Sequence, residues 1–97
     1  RVAHVPDRLP ELPVNRALRT LTLPLHLDWS SRSREVRLAD RRQRLQVYER
    51  VLREGRPVDI ESIVDGSLLV DGWAEMVLPA PLRSAWQPLI DSVTDNV

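Results

Sequence analysis

The spacing of apolar residues changes period once along this chain, and the change divides the fold. From Leu21 to Trp29 residues alternate strictly, with Leu21, Leu23, Leu25, Leu27 and Trp29 on one side and Thr22, Pro24, His26 and Asp28 on the other. A period of two is the pattern of a half-buried strand. Pro24 has no N–H to give a ladder, so the strand is expected at an edge or with a local irregularity. After the turn-like stretch Ser30 to Ser33, Val36 and Leu38 resume the alternation and are placed to pair back as a short hairpin strand. Two strands alone are marginally stable, so the hairpin must pack on helices or extend into another chain's sheet.

From Asp40 onward the apolar spacing becomes three and four. Asp40 with Gln43 has the logic of a capping box, Asp standing in for the usual Ser or Thr, and predicts a helix to about Glu54, ahead of Gly55. Its apolar stripe is Leu45, Tyr48, Val51 and Leu52. A second, short helix is predicted from about Pro57 to Val64, with Ile60, Ile63 and Val64 inward and Asp65-Gly66 as the break. A third covers residues 67–77, with Leu68, Leu69, Trp73, Met76 and Val77 at helical spacing. Gly72 within it costs about 1 kcal/mol against Ala but permits close packing. Pro79 and Pro81 stop one helix and start the last, striped by Leu82, Ala85, Trp86, Leu89 and Val93 and expected to kink at Pro88.

The expected class is therefore α+β, a short N-terminal β-hairpin followed by three or four short α-helices in one small domain over residues 17–97. Residues 1–16 contain Pro6, Pro10 and Pro13 and show neither period, which predicts an irregular proline-rich arm. A flexible leader is the first reading of that arm, and a segment that orders on a partner the second. The 97 residues suffice for one modest core, with roughly 65% of the extended-chain surface buried on folding.

Catalytic chemistry finds no constellation here. The chain has no cysteine, which removes disulfides, thiolate metal sites and cysteine nucleophiles. His4 and His26 lie in no metal-ligand spacing. A triad of His26, Asp28 and Ser30 can be written on paper, but no nucleophile-elbow sequence surrounds it. Gly55, Gly66 and Gly72 form neither a phosphate loop nor a dinucleotide fingerprint, and Asp59, Glu61, Asp65, Asp71 and Glu75 do not space as a calcium loop. The expectation is a protein that is not an enzyme and has no cofactor or metal. No apolar run approaches the ~18 residues of a membrane span and no signal-peptide core is visible, so a soluble, cytoplasmic protein without membrane contact is expected.

Charge is where the sequence points to contact. The net charge is zero, yet residues 1–53 hold twelve arginines against six acids and residues 54–97 two against eight. Such a dipole either steers a charged partner or is satisfied when the halves pack together. Its densest part is Arg32, Arg34, Arg37, Arg41, Arg42 and Arg44, guanidinium groups able to grip carboxylate or phosphate bidentately. These arginines, with Asp71 and Glu75 from the acidic half, are the candidate partner-binding residues. The plainer alternative is a solvated junction that pairs internally.

Residues 57–77 read as helix, turn, helix, but the second helix carries Asp71 and Glu75 and no base, so phosphates would repel it. Packing or protein recognition is the expectation for that pair. Three kinds of partner follow: a protein first, nucleic acid held by the arginine cluster of a DNA-binding regulator second, and a second copy joined through the edge strand third.

Several short stretches carry a likeness. They are Leu23-Pro24-Leu25-His26-Leu27-Asp28-Trp29-Ser30, then Val47-Tyr48-Glu49-Arg50-Val51-Leu52-Arg53-Glu54-Gly55, then Asp59-Ile60, Val64-Asp65-Gly66, Leu78-Pro79 and Ala85-Trp86. Through them the chain from Leu23 to Ile90 resembles a family of short actinobacterial proteins encoded beside abortive-infection-type nucleotidyltransferases. The resemblance implies an antitoxin-like role, in which a small non-catalytic partner binds and neutralises a nucleotidyltransferase toxin acting on RNA. The matching residues are those of packing and capping.

Overall fold

A computed structural model describes residues 5–27 and 35–94. The order is a one-turn helix α1 (Val14–Ala17), strand β1 (Thr20–Thr22), a 3₁₀ turn (Leu25–Leu27) and strand β2 (Glu35–Arg37). Four helices follow, α2 (Arg41–Glu54), α3 (Pro57–Ile63), α4 (Gly66–Gly72) and α5 (Ala80–Thr94), with a second 3₁₀ turn (Trp73–Glu75) between α4 and α5. The α+β class, a hairpin followed by four helices, is the one the periodicity predicts.

β1 and β2 pair antiparallel with Thr20 opposite Arg37, Leu21 opposite Val36 and Thr22 opposite Glu35. The strand expected to run from Leu21 to Trp29 stops at Thr22; Trp29 itself lies outside the described residues. Pro24 is the physical reason. It cannot donate to a ladder, and its carbonyl instead accepts the Leu27 N–H at 2.9 Å, closing the 3₁₀ turn. Leu23 and Leu27 both end up buried, so the apolar face survives although the strand does not.

α2 begins and ends at the expected residues. The Asp40 side chain accepts the Gln43 N–H at 3.1 Å, and the Gly55 N–H closes the last turn on Val51 C=O at 2.8 Å. Gly55 is extended (φ −71°, ψ 155°) rather than left-handed. The inward face comprises Val47, Tyr48, Val51 and Leu52, with Leu45 half-buried. α3 starts on Pro57 and ends at Ile63.

The third helix is shorter than the spacing predicts. It is α-helical only to Gly72 and tightens into the 3₁₀ turn, leaving Val77 76% exposed instead of inward. The Val77 N–H is taken by Glu49 Oε2 of α2 at 2.8 Å, outside any helical ladder. Gly72 faces α2 so closely that a Cβ there would lie 2.2 Å from Leu45 Cδ2. α5 continues through Pro88, whose missing N–H leaves the Ser84 carbonyl without its helical donor. Both residues are exposed, so water can serve that carbonyl. Leu82, Trp86 and Ile90 form its buried stripe; Ala85 and Val93, expected inward, are exposed.

Arg83 locks α5 to the preceding turn. Its guanidinium lies 4.8 Å from the Trp73 ring centroid and donates to the carbonyls of Trp73 and Met76. The Trp73 indole N–H donates to Gln87 Oε1 at 3.0 Å, so the contact is held from both sides.

The proline-rich segment is irregular over residues 5–13 but is docked instead of free. The Gly66 N–H donates to Pro10 C=O at 2.7 Å and the Leu12 N–H to Asp65 Oδ1 at 3.0 Å. Val5 and Leu9 pack against the core. A Cβ at Gly66 would lie 2.7 Å from Leu9 Cβ and 2.9 Å from the Pro10 carbonyl oxygen, so only glycine lets the arm approach. Because the obstruction is backbone and a Cβ, no rotamer change relieves it. The Gly66→Ala substitution should therefore lift the arm, lowering stability by about 1–3 kcal/mol in urea melts and speeding proteolysis within residues 5–12. An unchanged cleavage rate would contradict this account of the docking.

Candidate partner-binding surface

The eight candidate residues separate into different environments. Arg32 and Arg34 lie outside the described residues. Arg37 is exposed on β2 and Arg42 is exposed in the first turn of α2. Arg44 is only 6% exposed; its Nη1 donates to Leu38 C=O at 2.9 Å, and its Nε has no hydrogen-bond partner among the described residues. It fixes the exit of the hairpin onto α2 and is removed from any partner-facing set. Its position was legible, since residues 44, 48 and 51 are spaced by four and three and share the buried face with Tyr48 and Val51.

Arg41 joins the remaining two. Its Nη1 lies 2.8 Å from Glu75 Oε1 and its Nη2 2.5 Å from Oε2, a bidentate fork, while Asp71 Oδ2 is 3.3 Å away. The hydrogen bond to Glu75 is the main reason the guanidinium holds its proton more tightly than usual. The same bond keeps the Glu75 carboxyl below the ordinary carboxylate range. Exposed ion pairs contribute little stability, but this one orients the start of α2 against the end of α4. The basic and acidic candidates thus meet each other, and the charge dipole is partly satisfied within the fold.

What stays open is the outward side of α2. Arg42, Gln46, Glu49 and Arg53 recur at three- and four-residue spacing and share one face. Arg42, Gln46 and Arg53 are exposed, and Arg42 and Arg53 form no ion pair among the described residues. Between this helix and the hairpin lies a cleft of about 190 Å³ lined by Gln43, Gln46, Glu49, Arg50 and Arg53, with Leu23, Val36 and Val47 also in its wall. Arg50 donates to Leu27 C=O at 2.9 Å, and Glu49 is turned toward Val77. The cleft therefore has an apolar floor and a cationic, amide-rich rim.

One polar contact escaped the sequence reading. His26, placed there on a strand's polar face, has its Nε2 2.6 Å from Asp59 Oδ2. The same Asp59 oxygen accepts the Arg56 N–H at 2.8 Å, capping the start of α3. Burial pushes the Asp59 carboxyl up, but the His26 hydrogen bond, the Arg56 N–H and nearby positive charge outweigh it, and the carboxyl sits below its ordinary value. The pair ties the first 3₁₀ turn to α3. Asp28 and Ser30, the other members of the paper triad, lie outside the described residues. Asp65, the other buried acid of the acidic half, is likewise structural, accepting the Leu68 N–H at 3.2 Å. Neither Asp59 nor Asp65 belongs to a solvated acidic face.

No group of three His, Asp or Glu among the described residues could hold a metal ion, and none of their helices is long and apolar enough to cross a membrane. No protein family, curated protein or solved structure matches the chain.

Asp59 makes stability depend on pH with a definite sign. Its folded carboxyl titrates below the unfolded one, so its contribution is complete above the unfolded value of about 3.9 and is lost as pH falls through the folded value. In urea melts at stepped pH, Asp59→Asn should be less stable than the parent at pH 7, the gap closing toward about pH 2. A gap that stays constant over that range would rule out the assignment.

Proposed function

We propose that this chain is a non-catalytic binding protein of the antitoxin-like kind, which binds and neutralises a nucleotidyltransferase acting on RNA. The role is the one implied by the family it resembles. The observation that carries the binding reading is the outward face of α2 beside the hairpin, where Gln46 and Arg53 border the cleft and Arg42 is exposed one turn before Gln46. Neutralisation asks for complementary surface and for no reacting group, and a cationic rim around an apolar floor suits an acidic, partly apolar patch on an enzyme.

A DNA-binding regulator has less support. Its cluster has lost Arg44 to the interior and Arg41 to Glu75, and α4 presents Asp71 outward. Among the described residues Arg37 and Arg42 are what the cluster still presents, and affinity for a duplex scales with the number of phosphate contacts.

The test is to identify the gene beside this one and, where it encodes a nucleotidyltransferase, to co-express the two, followed by pull-down and an assay of that enzyme. Capture and inhibition are expected. Arg42→Glu with Arg53→Glu should weaken binding by about tenfold or more, with melting nearly unchanged because both side chains are exposed. Failure to bind or inhibit the enzyme sinks the proposal, and retention on duplex DNA that falls steeply with salt would favour the regulator.

A further inference from the structure

The hairpin has two edges, and the fold treats them differently. The Leu38 N–H donates to Arg19 C=O at 3.0 Å, flanking the Thr20 and Arg37 pair. In an antiparallel ladder this makes Leu21 and Val36 the pair that exchanges hydrogen bonds inward. Thr20 and Thr22 on β1, like Glu35 and Arg37 on β2, consequently turn their N–H and C=O groups outward. On the β2 side Arg37 is answered, since its N–H donates to Gln43 Oε1 at 3.0 Å and its C=O accepts the Asp40 N–H at 3.0 Å. On the β1 side no hydrogen bond to the outward groups of Thr20 or Thr22 is present among the described residues.

We infer that β1 is a seam for a second copy of this chain, paired antiparallel across a twofold axis. In that register Thr20 lies opposite Thr22 of the partner subunit, Leu21 meets Leu21 of the partner subunit on the axis, and four main-chain hydrogen bonds form. The arrangement satisfies its own symmetry, because the outward groups of Thr20 and Thr22 are exchanged by the twofold.

Three observations select a second copy as the occupant. Soluble proteins usually guard an open edge with charge, and β1 carries none, while the net charge of zero raises no overall repulsion. Thr20 and Thr22 are exposed and β-branched, a suitable cross-strand pair, whereas Leu21 is half-buried and packs against the core, so its remaining surface is covered by its twin. Finally, on the far edge of β2 both outward groups of Arg37 are already taken, by Gln43 and by the Asp40 N–H, which disfavours growth of the sheet β2-β1-β1-β2 beyond two copies. Pro24 and α1 confine the seam to three residues. That falls well short of the ~800 Å² per partner of a standard interface, so the association is a weak one, to be sought at high protein concentration.

The inference rests on sheet geometry and not on the toxin-binding proposal, and the two fail separately. A monomer that still captures the enzyme sinks the seam alone; a dimer that captures nothing sinks only the other. Sedimentation equilibrium of the purified chain from about 10 μM to 1 mM should show mass rising from one chain toward two. Thr20→Lys with Thr22→Lys sets like charges opposite each other and should weaken association by at least about tenfold, whereas Thr20→Lys with Thr22→Glu sets Lys against Glu and should restore it. Amide exchange in the unmodified chain gives a readout free of folding effects, since the Thr20 and Thr22 N–H groups should slow with concentration. A mass of one chain throughout, equal association of the two double variants, or exchange at Thr20 and Thr22 independent of concentration each overturns the seam.

Discussion

Asp65 holds three separate segments through one side chain and one amide. Its Oδ1 accepts the Leu12 N–H of the arm, its Oδ2 accepts the Leu68 N–H at the start of α4, and its own N–H donates to the Tyr48 hydroxyl of α2. A carboxylate at 8% exposure is tolerable only with such partners. Tyr48 is itself fully buried, and its phenol is pushed up in pKa by that burial, so it stays neutral and its hydroxyl keeps its place in the network. Next to Asp65, Gly66 admits the arm's backbone to hydrogen-bond distance. α3 and α4 are seven residues each, far below the length at which a helix persists alone, so their order depends on this junction.

The same logic governs the charges. The two halves of the chain are opposite in sign, and the fold brings some of their charges together, Arg41 onto Glu75 and Asp71, while His26 hydrogen-bonds Asp59. Arg19 adds a charge-assisted link to a neutral acceptor, donating to the Ser62 carbonyl at the end of α3. A dipole that looks in sequence like an advertisement to a partner is thus partly a device for closing a small domain. What is left after this internal matching includes Arg42 and Arg53 on α2 and Arg37 on the adjoining hairpin.

How far the sequence discloses the fold depends on how local the deciding interaction is. α2 was legible to its ends because Asp40, Gln43 and Gly55 act within one turn of each boundary. The end of β1 was not, because Leu23 and Leu27 fit a strand and a 3₁₀ turn equally, and only the Pro24 carbonyl's choice of Leu27 as donor separates the two. Val77 kept helical spacing beyond the point at which Gly72 and the 3₁₀ turn had ended the helix. The arm, the His26 pair and the Arg41 fork join residues 53, 33 and 34 positions apart, and no local pattern announces such partners. Of the arginine cluster the sequence alone did not separate exposed members from buried ones, since a charged side chain's burial depends on its phase in the helix. Arg44 shares a face with Tyr48, whereas Arg42 and Arg53 do not.

That phase also explains why α2 can be both spine and surface. Its inward residues, Val47, Tyr48, Val51 and Leu52, are held by the core, and its N-terminal turn is held by the Asp40 cap and the Arg41 fork. The outward residues carry little of this packing, so their side chains are presented from a backbone already fixed on the opposite side. A rigid helix loses little freedom when it docks, and more of the contact energy then appears as affinity. The hairpin stands beside it in a fixed register, because Arg37 N–H is held by Gln43 and Arg44 by the Leu38 carbonyl. Changing a residue on the outward face should leave the domain intact, which is the separation the proposed binding role requires.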